Sequence, residues 1–301
     1  MTEPPIATHA VPAAARTSSA RGRSLWQLSL QRLRKNRGAV AGSIVLLVLI
    51  VASMAAPWIT THDPVILAPR ERLQPPSAQY WFGTDAFGRD VFTRVVYGGR
   101  VSLMVGVIAV AISLSLGVTL GLLAGYLGGV FDDVVMRLID VLMAFPGLLL
   151  ALAVVAILGP NLVNAMIAVG ISAAPTYARV TRSAVLQTKE LAFIEAARQS
   201  GARVWRIVLV HVFPNVLGSI VVIATLGVAN AIIAGAALSF LGLGAGPPTP
   251  EWGLMLSDGR AYLRHAWWIT TFPGAAIMVT VLAINLMGDG LRDALDPRMS
   301  R

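Results

Sequence analysis

RVTRSAVLQTKELAFIEAARQSGARVWRIVLVHVFPN, residues 179–215, is a basic, amphipathic stretch set between long apolar runs. The runs at 39–56, 101–124, 134–158, 162–177, 216–238 and 267–287 carry few or no charges. Most reach the ~20 residues a helix needs to cross about 30 Å of hydrocarbon. The shortest, 162–177, can extend at either end. Barrel strands would be about 9–11 residues long and alternate in polarity, which these runs do not. The fold class read from the sequence is therefore an all-α integral membrane protein with six transmembrane helices. Residues 179–215 are too polar to span and too regular for a linker. They need a surface to lie on, either the inner leaflet or a cleft in a soluble partner.

Of the 301 residues, 56% are hydrophobic and 13% charged, against about 25% charged in soluble domains. The absence of cysteine excludes a disulfide framework, a thiolate nucleophile and a cysteine metal site. His9, His62, His211 and His265 are scattered, so no metal centre and no catalytic residue is assigned. Residues 1–24, rich in Ala, Pro and Ser, read as a disordered cytoplasmic tail and not as a signal peptide, because no small-residue cleavage site follows. Residues 25–38 read as an interfacial lead-in helix, with Leu25, Leu28 and Leu33 near one face and Arg32, Arg34 and Lys35 toward anionic headgroups. Ordinary positive-inside residues are the alternative.

Seventeen of the 24 Lys/Arg residues fall on one side of the six-span topology: those before residue 39, Arg137, those from Arg179 to Arg206, and those after residue 287. Arg70, Arg72, Arg89, Arg94, Arg100, Arg260 and Arg264 fall on the other. The positive-inside rule then puts both termini and the 179–215 stretch in the cytoplasm. The net charge of +9 needs no nucleic-acid partner to explain it.

Along the chain, the 58–100 segment is first Pro-rich and then mixes aromatics with charges. Asp90 and Arg94, four apart, suit a helical pair if that stretch is helical. Gly117, Gly121 and Gly125 in the second run are spaced for close helix packing. In the third, Arg137 and Asp140 suit local pairing, and Pro146 predicts a kink that could line a pathway. Asn230 and Asn285 either hold helices together or line that pathway. No run carries the carboxylate pairs of an ion-driven carrier. Within the basic stretch, residues 189–200 predict a helix with Leu191, Ile194 and Ala197 on its apolar face. Gly201 releases the backbone, a second amphipathic segment gathers Trp205, Val208 and Leu209, and Pro214 ends the element before the next span.

EAARQSGARVWRIVLVHVFPN (195–215) resembles the cytoplasmic coupling loop of permease subunits in binding-protein-dependent ATP-binding-cassette importers. The matching positions are Glu195, Ala196, Ala197, Gly201, Pro214 and Asn215, with Arg203 among the flanking positive charges; His211 suits the peptide branch, and Phe213 is a small departure. WFGTDAFGRDVFTRVVYGGRVSL (81–103), LSFLGLGAGPPTPEWGLMLSDGR (238–260) and NLMGDGLRDALDPR (285–298) resemble segments of the second permease subunit of dipeptide, oligopeptide and nickel importers. The resemblance covers about residues 25–298 and implies a permease domain at 39–298 with a coupling loop at 187–215. It further implies a bacterial cytoplasmic membrane location, a homologous permease subunit, two cytoplasmic ATPase subunits, an extracytoplasmic solute-binding protein and contact with membrane lipid. The cargo it implies is dipeptides or oligopeptides, with nickel complexes or other small solutes as the alternative. ATP and Mg2+ belong on the partner ATPases, since this chain has no Gly-rich loop ending in Lys-Ser/Thr. The rival classes are an ion-coupled secondary transporter, a membrane enzyme and a docking scaffold. In the 238–260 match, Gly242, Gly244, Pro247, Pro248 and Trp252 predict a shaped external cap, with Trp252 and Trp267 at headgroup level. Asp289, Arg292, Asp293 and Arg298 predict an ionic cluster of structural role.

Overall fold

A computed structural model describes residues 33–295, so the 1–24 tail, most of the 25–38 helix and Arg298 lie outside the described residues. The fold is all-α, with α1 (Arg37–Met54), α2 (Val91–Leu127), α3 (Gly129–Met143), α4 (Gly147–Leu158), α5 (Leu162–Lys189), α6 (Ala192–Gln199), α7 (Phe213–Phe240), α8 (Trp252–Gly259) and α9 (Trp268–Leu295). Several helices start where a side-chain oxygen takes an otherwise orphaned amide. Asn36 accepts from Ala39 N at 3.1 Å, Asp90 from Thr93 N at 2.9 Å and Asn161 from Asn164 N at 2.8 Å.

Among the described residues, α1, α2, the continuous helix Val204–Phe240 and α9 are long and apolar enough to cross a membrane. The bent pair α3 and α4 makes a fifth if counted as one span. Only 17% of the apolar window of α1 is buried, and Leu47, Val48 and Val51 stand open. That outward apolar face is one a lipid phase accepts and water does not. Helix α5 is less apolar, but it is enclosed by α2, α4 and α7, so little of it has to face lipid. Its contact with α2 is the most extensive between helices of the fold. A Cβ on Gly117 would sit 2.5 Å from the Ala174 carbonyl oxygen, and Gly121 and Gly125 meet Ala178 and Val185 in the same way. The expected glycine seam is present.

The boundaries differ from the sequence reading in several places, among them the last span, which runs to Leu295 instead of 287. Helix α2 begins at Val91 instead of residue 101. The 134–158 run is two helices, bent by 95° across a short break. Pro146 has no N–H to donate and its ring excludes the Leu142 carbonyl, so the kink becomes a break. Helix α5 continues to Lys189, which makes 179–189 helix interior and leaves only about 190–206 as the protrusion. Pro214 does not end an element. It lies within a helix that runs from Val204 to Phe240 through a π-helical turn at Ile207–Val212. The wider turn accommodates the missing N–H: Phe213 N bonds Val208 O, and Asn215 Nδ2 donates to His211 O at 2.6 Å.

Two predicted ion pairs are also replaced. Asp140 pairs with Arg179 of α5, not with Arg137 on its own helix. Asp90 caps α2, while Arg94 turns to Asp85 at 3.7 Å. Among the described residues, the C-terminal cluster forms no ion pair within itself; Asp293 instead accepts from Asn36 Nδ2 at 3.4 Å.

Candidate functional site

The protrusion is built around one anchor. Ile194 of α6 is fully buried and packs with Leu122, Val185, Ile207, Val212 and Val216, while Leu191, four-tenths exposed or more, stays outside. Helix α6 ends in a Schellman arrangement: Ala202 N bonds Ala197 O at 3.2 Å and Gly201 N bonds Arg198 O at 3.0 Å. Gly201 takes φ +75°, a backbone region that L side chains resist. Ala197 and Ala202 pack together at the edge of the Ile194 cluster. This leaves Phe193, Glu195 and Ala196 exposed on α6, with Arg203, Val204 and Trp205 exposed beyond the turn. Val208 is buried, but Trp205 and Leu209 are each 57% exposed, so the predicted cluster of these three does not form. Pro214 and Asn215 are exposed at the root of α7. The seven predicted coupling positions therefore share one end of the molecule, as a surface of small, aromatic and cationic groups around a rigid turn.

From this root a groove follows α7. One recess of about 540 Å3 is lined by Asn215, Ser219, Val222, Ile223, Leu226 and Arg292. The next, of about 420 Å3, shares Ile223 and Leu226 and adds Ser113, Gly147, Leu148, Ser172, Thr176 and Asn230. Its walls are mostly apolar, with a few hydroxyls and one amide. Asn230 is exposed in this groove instead of bonding a neighbouring helix. Pro146 lies at the break beside Gly147 and Leu148. Asn285, half-buried on α9, lines neither recess.

The predicted cap is a shaped element. Gly242 has φ +79°, and a Cβ on Gly244 would strike Ser239. Pro247 and Pro248 lead to Trp252, which is buried and donates from Nε1 to Val95 O at 2.8 Å. Trp267 is half exposed. The sequence reading missed what holds the cap. Glu251, buried, accepts from Gly253 N at 2.9 Å, Leu254 N at 2.8 Å and Ser102 Oγ at 3.2 Å. Burial pushes its pKa up, against the pull of those amides. Arg89, buried, bonds Asp85 at 2.6 Å and reaches Asp258 at 3.4 Å. Burial raises the Asp258 pKa, with Arg89 and Arg94 opposing. Arg94 donates to Pro64 O at 2.8 Å and to Pro248 O at 3.3 Å. An acid between Pro250 and Trp252, just where a short helix starts, was the available clue to Glu251. Among the described residues, no group of three or more His, Cys, Asp or Glu is placed to hold a metal ion.

Residues 117–301 match the family described as binding-protein-dependent transport system inner membrane component, and residues 24–76 match the N-terminal TM domain of oligopeptide transport permease C. The chain is 50% identical over 276 residues to the dipeptide transport system permease protein DppC of Alkalihalophilus pseudofirmus, covering 92% of this chain and 91% of that one. It is 49% identical over 278 residues to the glutathione transport system permease protein GsiD of Shigella flexneri serotype 5b, covering 92% of each. Among solved structures, an inward-facing form of the MetNI methionine ABC transporter shares the fold with a TM-score of 0.57 at 20% identity, over 68% of this chain and 97% of that one. The chain thus belongs to the binding-protein-dependent inner-membrane transport components, as the non-catalytic second permease subunit of a peptide-type ATP-binding-cassette importer.

Proposed function

We propose that the groove along α7 is this subunit's half of the translocation path and that 187–215 is the element that docks on the ATPase. The observation that carries this reading is continuity. The two recesses share Ile223 and Leu226, and the lower one opens beside Asn215, at the root of the exposed protrusion. A rigid α6 held by Ile194 and the Gly201 turn can pass a push into α7 without bending. A homologous permease subunit closes the groove, two ATPase subunits bind ATP and Mg2+ below, and an extracytoplasmic binding protein delivers cargo to the 238–260 cap. The topology we favour has six spans, with α5 and the α3–α4 pair crossing and both termini in the cytoplasm of a bacterial inner membrane.

Short peptides are the cargo we favour. The walls are apolar with scattered hydroxyl and amide groups, which suits varied side chains and a constant backbone better than a bare ion. Relatives named for dipeptide, di/tripeptide and glutathione transport support the same size class. The test is reconstitution of the complete assembly in proteoliposomes. Vanadate-sensitive uptake of a labelled dipeptide, lost on omitting either the ATPase or the binding protein, is the expected result. Uptake driven by an ion gradient without nucleotide would refute it.

A further inference from the structure

The basic residues of 179–198 do not all face solvent or a partner, and where they point suggests a second role. Arg182 makes a bidentate pair with Asp132 of α3, at 2.5 and 2.6 Å, and the Asp132 side chain is about nine-tenths buried. One turn earlier on α5, Arg179 pairs with Asp140. Toward the protrusion, Lys189 donates to Gly125 O at 3.2 Å. On α6 itself, the Arg198 guanidinium lies over the Tyr126 ring at 5.3 Å. From 179 to 189 the partner's number falls from 140 through 132 to 125, an antiparallel run, and Arg198 meets Tyr126 beside its end. Together these contacts join the protrusion and its stem to the hairpin between α2 and α3.

The arm so gripped ends at the break around Pro146, and α4 resumes on the far side with Gly147 and Leu148 in the groove wall. A bidentate Arg–carboxylate pair fixes orientation as well as distance. A helix held by such a pair and by Arg179–Asp140 moves with its holder, while the break absorbs the change of angle. We infer that α3 is a second output arm of the coupling element, carried as one body with α5 and α6, and that Arg182 and Asp132 are the positioning residues that carry it. The inference rests on the coupling role proposed for 187–215 and goes beyond it by assigning the route through which the groove edge is moved.

The test uses spin-label pairs in the complete importer in nanodiscs, compared without nucleotide and after vanadate trapping. A pair at Gln199 on α6 and Val134 on α3, both exposed, should keep its distance in the parent protein. A pair at Gln199 and Val48 on α1 should change. In Arg182→Gln or Asp132→Asn, with assembly by co-purification intact, the Gln199–Val134 distance should change on trapping, and uptake of a labelled dipeptide per ATP hydrolysed should fall about tenfold. The Asp132→Arg/Arg182→Asp exchange should restore both readouts, which a loss unrelated to the pair would not allow. A Gln199–Val134 distance that already changes in the parent overturns the arm, as does one that stays fixed in Arg182→Gln. A Gln199–Val48 distance that never changes overturns the coupling assignment itself, and the arm with it.

Discussion

Gly201 offers a test in which backbone strain can be separated from bulk. A Cβ built there meets no atom within 4 Å, so the only intrinsic cost of a side chain is its φ of +75°. For most L residues that conformation costs about 1–2 kcal/mol, and asparagine tolerates it best. A penalty of that size lowers the equilibrium constant for the posed turn about 5–30-fold. Relaxing the turn releases the bonds from Gly201 and Ala202 back to α6 and swings Arg203 and Trp205 away from their positions. The expected order of damage is Gly201→Asn least, Gly201→Ala intermediate and Gly201→Val worst, since β-branched residues are outliers at positive φ. The assay is binding-protein-stimulated ATP hydrolysis and uptake in proteoliposomes, with assembly followed by co-purification. Equal losses for Asn and Val would mean that bulk against the docked ATPase, and not turn geometry, sets the effect. No loss in any variant would refute a coupling role for the turn.

Three other outcomes follow from the packing and the charges. Arg89→Met leaves Asp85 with only Arg94, 3.7 Å away, and Asp258 without its direct partner, and should cost at most about 3–5 kcal/mol, read as thermal unfolding in detergent, with part recovered by adding Asp85→Asn. Gly121→Leu should destabilise the α2–α5 seam by about 1–3 kcal/mol or more, whereas Gly218→Ala, with open space around it, should stay within about 0.5 kcal/mol. Glu251 has a pKa raised by burial, so its native state holds the proton more tightly than the unfolded chain does. Its contribution is present below the ordinary carboxylate range and is lost as pH rises through the native value. Melting curves from pH 4 to 8 should therefore show a declining component that Glu251→Gln removes.

Four spans, or five with the bent pair counted as one, were readable because lipid demands apolar length and leaves that demand in the composition. Their ends were not. The first turns of α2 contain Arg94 and Arg100, whose partners are carbonyls of Pro64, Pro248, Ser53 and Met54, far away in sequence. The one local partner on offer, Asp90 for Arg94, is not the one used, and Arg100 has none, so the start was placed ten residues late. The same blindness applied to Arg179 and Arg182, whose acids lie 39 and 50 residues earlier. They read as a cytoplasmic face because the positive-inside rule counts charges without pairing them. The positions predicted for coupling fall together in the fold because they lie close in sequence and the turn chemistry at Gly201 is local. The groove was only half found. Asn230 was singled out as an amide in an apolar run, but Ser172 and Thr176 are too common in helices to attract notice.

The pairing of α1 with α9 has a topological consequence. Asn36, at the start of α1, reaches Asp293 near the end of α9. Gly42 lies against Ala283 and Gly290 against Ala39, so the pair runs side by side in opposite directions. Residues 36 and 293 therefore lie at the same end of the α1–α9 pair, which is the arrangement the proposed even-numbered topology requires. A cross-link or a short linker between positions 36 and 293 would therefore tie the first described span to the last without distorting either helix.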